Sequence, residues 1–326
     1  MARGFDGHAS DFRQDILHGP LDVGLEAIHL VSGALYADLG LLFGAPLFAM
    51  VLAKPHAEPL QRGTLAVLAV TGLCLSLAGF ALTAAAMGGT SVIEMDPDLF
   101  TFVVTGTAVG WAFLVRLAAL VLILVSTAIS TSSTTTRPIL VVTLAAVSVA
   151  SQAWSGHAAA SDGAAGLVRL AGDIAHLLTA SVWLGALVIL LRRLLAKLPQ
   201  DEEHRIRTWQ MLASFGSVGT IVVATLILTG LLNAAFLLRP VDLRLLPSTQ
   251  YGQLLLLKLT LFGVMLGLAA LNRFRLSPAL ARADKASNGS AAVLALRVSV
   301  GLEFTLAGAI LLLVGWLGTL EPTFGG

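Results

Sequence analysis

A chain of 326 residues that is 56% hydrophobic, only 12% charged and close to neutral at +1, with a mean hydropathy of +0.87, has about half the charged fraction expected of a soluble globular domain. That composition excludes a soluble enzyme and, without a basic arm, a nucleic-acid binder. The apolar runs are about 20 residues or longer and are separated by short polar breaks, so they predict an all-α, polytopic membrane helical bundle and not the shorter alternating strands of a barrel. Helices also satisfy their own backbone hydrogen bonds, as lipid requires.

Residues 1–20 have no apolar core between Arg3 and Asp15, so they read as a polar N-terminal segment and not as a cleavable signal peptide. Residues 21–326 read as a single transmembrane bundle domain. Eight spans are predicted, at 25–53, 64–87, 101–126, 138–157, 169–192, 210–237, 251–272 and 293–319. The first is long, and Gly44 and Pro46 are candidate kink positions within it. The connection 88–100 is acidic and carries Met95, with Met87 just before it; two thioethers there suit a soft cation but are more often packing residues. The single cysteine, Cys74, excludes an intrachain disulfide and a CxxC site, and reads as a small buried hydrophobe.

Lys and Arg counts set the orientation. Connections after spans 1, 3, 5 and 7 hold twelve: Lys54, Arg62, Arg137, Arg192, Arg193, Lys197, Arg205, Arg207, Arg273, Arg275, Arg282 and Lys285. The opposite side holds five: Arg3, Arg13, Arg169, Arg239 and Arg244. Both termini are therefore expected outside, in the periplasm of a Gram-negative cell.

An ionisable group in a bilayer costs at least about 2.5 to 3.5 kcal/mol near the centre, so each one needs a partner or a function. The candidates singled out within spans are Glu26, His29, Asp38, Arg116, Asp173, His176, Lys258 and Glu303, and His157 closes span 4. Arg116 and Glu303 fall at similar depth with opposite charge, which suggests a buried polar contact between spans 3 and 8; Asp38 is the alternative partner for Arg116. A proton or ion relay through these carboxylates is the other reading. Glu26 and His29 share a helix face, and Asp38 lies about half a turn out of phase with His29. Lys258 is expected to pair with a carboxylate such as Glu26 or Asp173.

The stretch 151–185 concentrates the chemistry. Asp173, His176, Ala180 and Trp183 recur at i, i+3, i+7 and i+10, so a carboxylate, an imidazole and an indole share one face. His157, His176 and His29 are predicted at similar outer depth on three helices. Three imidazoles without cysteine favour copper or zinc, with Asp173 orienting His176 or ligating directly. His157 and His176 with His29 and Asp173 are therefore the candidate metal residues. Two of the histidines ligating a b-type haem in an electron-transfer protein is the alternative, and the small residues of span 4 leave room for it. His8, His18, His56 and His204 read as solvated. No enzymatic nucleophile or cofactor loop is evident.

Several motifs together carry a family resemblance. They are Phe215-x-Ser217, Thr229-Gly230, Tyr251-Gly252 with Lys258, the Asn272–Pro278 end of span 7, GAPLF at 44–48, the Trp111–Arg116 segment, SGH at 155–157, and DxxH followed by WxG at 173–185. In this order they resemble the copper-resistance D (CopD/PcoD) family of inner-membrane proteins, across nearly the whole chain and with a family-like C-terminal section at about 205–320. The resemblance implies a multi-pass cell inner-membrane protein that moves a copper ion from periplasm to cytoplasm alongside a periplasmic CopC-type copper-binding protein. A membrane docking partner of such a chaperone that conducts no metal is a second reading. The chain departs from a thioether-rich path, because no span holds an MxxM pair.

Overall fold

The computed structural model describes residues 20–52, 60–129, 136–155, 163–195, 202–237, 244–282 and 289–320. Among these are ten α-helices: α1 (Pro20–Leu47), α2 (Arg62–Gly88), α3 (Pro97–Gly106), α4 (Ala108–Ala128), α5 (Thr136–Ala150), α6 (Gly163–Leu195), α7 (Glu202–Leu237), α8 (Gln250–Leu271), α9 (Ser277–Arg282) and α10 (Gly289–Leu317). Eight helical segments are long and apolar enough to cross a membrane, and no strand occurs among the described residues. The chain is an all-α multi-pass membrane bundle.

Span 3 differs from its expected limits. The apolar run from 101 to 126 is two helices, because Thr107 is extended (φ −118°, ψ 152°) and caps α4 by accepting from Gly110 N. The backbone folds back so tightly there that a methyl group on Gly110 would lie 2.2 Å from the Val103 carbonyl oxygen. Helix α3 has its own start signal in Asp96, whose carboxylate accepts from Asp98 N at 2.9 Å with Pro97 in the first turn.

The buried residues form two main groups that meet at α1. Leu35, Leu39, Leu42 and Phe43 of α1 pack with Leu65 of α2, Leu120 and Ile123 of α4, and Val141 and Ala145 of α5. Ala45 and the following Phe48 pack instead with Leu187 and Leu190 of α6, Met211 and Val222 of α7, Met265 of α8 and Leu296 of α10. Helix α1 is thus the common wall of both halves.

Small residues make that wall possible. A methyl group on Gly44 would lie 1.8 Å from the Ser181 carbonyl oxygen, and one on Gly185 would lie 2.1 Å from the Gly44 carbonyl carbon. Gly40-x-x-x-Gly44 on α1 meets Ser181-x-x-x-Gly185 on α6, with the backbones in direct contact. In lipid, where apolar side chains gain little by leaving the solvent, this close approach is what drives helix association. Gly44 therefore serves contact. Pro46 lies just before the switch to a π-helical turn at Phe48–Leu52.

Met95 packs against the Phe80, Val103 and Phe113 cluster while Met87 is exposed, so the two thioethers are a packing residue and a surface residue. Cys74 is exposed on α2, contrary to its expected burial, and so faces the lipid. An apolar thiol is as acceptable to acyl chains as to a protein core.

Candidate metal site

Helices α6 and α7 are joined by two polar rungs. His176 Nδ1 lies 2.9 Å from Thr229 Oγ1. One turn away, Asn233 Nδ2 donates to Asp173 Oδ1. The i, i+3 pair on α6 therefore faces an i, i+4 pair on α7, as the helix period requires of two packed faces. A cavity of about 470 Å³ lies deeper between α6, α7, α8 and α10, with Trp183 and Glu303 in its wall.

The hydrogen-bond chain favours one imidazole tautomer. Thr229 Oγ1 donates to the Thr225 carbonyl oxygen at 2.7 Å, so its lone pair receives the His176 Nδ1–H. The Nε2 lone pair is then the one His176 presents to a ligand. A metal-binding histidine is held in this way, with the second ring nitrogen donating to an oxygen that sets its orientation. Gly230, beside Thr229, adjoins the ring edge, where a methyl group would make ordinary contact 3.9 Å from His176 Cε1. Asp173 is aimed by Asn233, one turn from His176, and is placed to ligate, while the orienting role expected of it falls to Thr229, which holds Nδ1. Thr229→Val retains shape but loses the acceptor, and a metal held by His176 Nε2 is then expected to bind about 10- to 100-fold more weakly, measured by titration of the purified variant.

Tyr36 of α1, which sequence reasoning passed over, lies within electrostatic reach of Arg116 of α4 and Asp173 of α6. The signal available was a lone phenol inside an apolar span, two residues from Asp38.

His29 does not join His176. It lies seven residues before Tyr36, about 10 Å along α1 at 1.5 Å per residue. Its ring stacks on Trp316 of α10 (centroids 5.8 Å apart, planes at 25°), and its Nε2 hydrogen-bonds Thr319 Oγ1. Among the described residues no three His, Cys, Asp or Glu side chains converge as a metal cluster. Three-histidine convergence therefore fails for His29, because its face of α1 is turned to α10. His157 lies outside the described residues, as do His8, His18 and His56. Glu26 is exposed near the start of α1.

The expected contact between Arg116 and Glu303 is replaced by different partners. Glu303, 1% exposed, accepts from Asn272 Nδ2 and has the Trp183 indole beside it without hydrogen-bond geometry. Asn272 opens the π-helical turn Asn272–Leu276, whose irregular winding turns it toward α10. Arg116 belongs to the other half of the bundle, near Tyr36. Asp38 is buried against α2, where a methyl group on Gly72 would lie 2.8 Å from Asp38 Oδ2. Neither Asp38 Oδ2 nor Arg116 Nε has a hydrogen-bond partner, so the alternative Asp38 pairing is not formed through these atoms.

Comparison with known proteins matches residues 22–167 to the copper resistance protein D-like N-terminal domain and residues 209–317 to copper resistance protein D. Copper resistance protein D of Pseudomonas syringae pv. tomato is 38% identical over 302 residues, covering 90% of this chain and 96% of that protein. The chain belongs to the copper resistance protein D family. Copper transport protein CutJ of Bacillus subtilis is 28% identical over 249 residues, 73% of this chain but 44% of that longer protein. Inner membrane protein YebZ of Escherichia coli is 30% identical over 169 residues, covering 51% of this chain and 54% of YebZ. No solved structure matches. The break between the two family segments falls across α6, which carries Asp173 and His176. Copper resistance is thus the family context of the chain, and Asp173 and His176 lie between its two matched segments.

Proposed function

We propose that the protein binds copper through His176 Nε2, oriented by Thr229 and with Asp173 as second ligand, and passes it across the inner membrane toward the cytoplasm. The observation that carries this reading is the pair of rungs, which favours one His176 tautomer and holds a carboxylate one turn away. A structural histidine also needs a hydrogen-bond partner, so the carboxylate held one turn away is what favours the ligand role. In this reading both termini are periplasmic, and the copper enters at the end of the bundle where α6 begins. His157 closes span 4 on that side as a further ligand. His29, tied to Thr319 and Trp316, fastens α1 to α10 beside the entrance. A periplasmic CopC-type protein is the partner that delivers copper there. Asp38 and Glu303 are the acidic groups available for passage beyond His176.

Copper flux into proteoliposomes separates conduction from mere docking of a chaperone. The parent protein is expected to carry copper inward, and His176→Ala to lower the rate to the protein-free background while inserting and folding normally. Equal flux from the variant would remove His176 from the path, and no flux from either protein would leave only the docking reading.

A further inference from the structure

The Asn272–Pro278 stretch at the end of span 7 has no part in the copper site, but Asn272, Arg273, Phe274 and Ser277 form one wall of the cavity of about 470 Å³. Apart from that stretch the lining is apolar or glycine, except for Thr220 and Glu303. Glu303 accepts from Asn272 and is 1% exposed, so it presents no free charge to the space. A chamber of this size and polarity suits an organic ligand with a hydrocarbon body, and is far larger than a metal ion needs. It also opens sideways. Thr220, Ala224 and Ile227 of α7, and Ala270 and Phe274 across from them, line the cavity and are exposed. On α7 they recur at i, i+4 and i+7 and so make one stripe. Val218–Leu237 is the membrane-crossing part of α7, and the stripe runs from its first turn to near its middle, about 10 Å along the axis. The cavity is a slot between α7 and α8 that faces the bilayer.

Arg273 stands at the mouth of this slot. Its stem lies along α7, where a methyl group on Gly216 would stand 3.8 Å from Arg273 Cγ, and its guanidinium donates to Thr220 Oγ1 one turn further on. The bridge spans the mouth, so a whole helix of about 10–12 Å diameter cannot seat there, while a single hydrocarbon chain passes beside it. Lys258, deeper in α8, has the Asp173 carboxylate within electrostatic reach. Arg273 has instead a hydroxyl and, 5.4 Å away, the ring of Phe274, and no carboxylate pairs with it among the described residues. A cation at the membrane boundary takes an anionic partner, and the planar guanidinium fork matches the oxygens of a phosphate. Arg275 and Arg282, both exposed, add positive charge at the same end of the bundle. We infer that the slot between α7 and α8 binds an anionic phospholipid of the surrounding membrane, with an acyl chain in the cavity and the headgroup phosphate on Arg273. The site shares no residue with the α6–α7 rungs, so this inference and the copper reading stand or fall separately.

Native mass spectrometry of the delipidated full-length protein in detergent tests this, with phosphatidylglycerol and phosphatidylcholine of the same acyl chains as probes. The parent is expected to bind phosphatidylglycerol about fivefold more tightly than phosphatidylcholine, the effect of one cation on an anionic headgroup. Arg273→Gln should lose most of that preference, and Arg273→Lys, which keeps the charge, should retain it. Ala224→Phe fills the exposed rim of the slot and should weaken both lipids alike. A parent without preference, an unchanged preference in Arg273→Gln, or unchanged affinities in Ala224→Phe overturns the inference. A dimer that Ala224→Phe dissociates would give the slot to a second copy of the chain, and overturns it as well.

Discussion

Gly44→Leu is expected to abolish the folded bundle. The position offers no space: the first carbon of any side chain falls 1.8 Å from the Ser181 carbonyl oxygen and 2.5 Å from its carbon, and both belong to helix backbone, not to a side chain that could rotate away. Accommodation requires α1 and α6 to separate by the thickness of a side chain. Helix α1 is the wall shared by both halves, so separation there strips contacts from the clusters around Leu39 and Leu187 together. Helix association in lipid depends on this packing, with little hydrophobic force to replace it. The loss is expected to exceed about 3 kcal/mol, the upper range for overpacking, and to appear as failure to recover a monodisperse protein from detergent. Gly44→Ala should show the same defect in milder form, as a lowered midpoint of thermal unfolding. A normal midpoint for both variants would show that α1 and α6 do not meet through these glycines.

Glu303→Ala is expected to destabilise the other crossing point of the bundle. The carboxylate is almost fully buried, receives Asn272 Nδ2 and lies beside the Trp183 indole, so it joins α10 to the π-helical turn and to α6. Truncation leaves the amide donor without its acceptor and opens a void beside the cavity already present. An orphaned buried donor costs about 1–3 kcal/mol, with the void additional. Glu303→Gln keeps the shape and one acceptor oxygen, and should recover most of the loss in a detergent-unfolding series. Equal destabilisation by both variants would mean that charge, not the hydrogen bond, holds this junction.

The spans were legible because a bilayer imposes one length and one composition on every helix that crosses it. Even so, Thr107 divides an apolar run that hydropathy reads as continuous, since hydropathy does not register a capping hydroxyl or a glycine that lets the backbone fold back. Asp173 and His176 were legible as a pair because they lie on one helix, where period alone decides which residues are neighbours. Thr229 and Asn233 were not legible as their partners. Thr229 was visible only within the Thr229-Gly230 motif, and nothing local says which helix it will face. The same gap explains Arg116 and Glu303. Depth and charge made them plausible partners, but equal depth does not make helices adjacent, and these two lie in different halves of the bundle. Approximate depth puts His29 level with His176, but depth does not reveal that its ring is turned to Trp316 of α10.

The central claim is that His176 presents Nε2 to copper, and X-ray absorption of the copper-loaded, detergent-purified protein addresses it most directly. The predicted spectrum contains imidazole scattering around bound copper that is lost, with the bound copper, in His176→Ala and weakened in Thr229→Val. Copper bound to the parent with an unchanged imidazole signature in His176→Ala would contradict the account and move the site to other histidines.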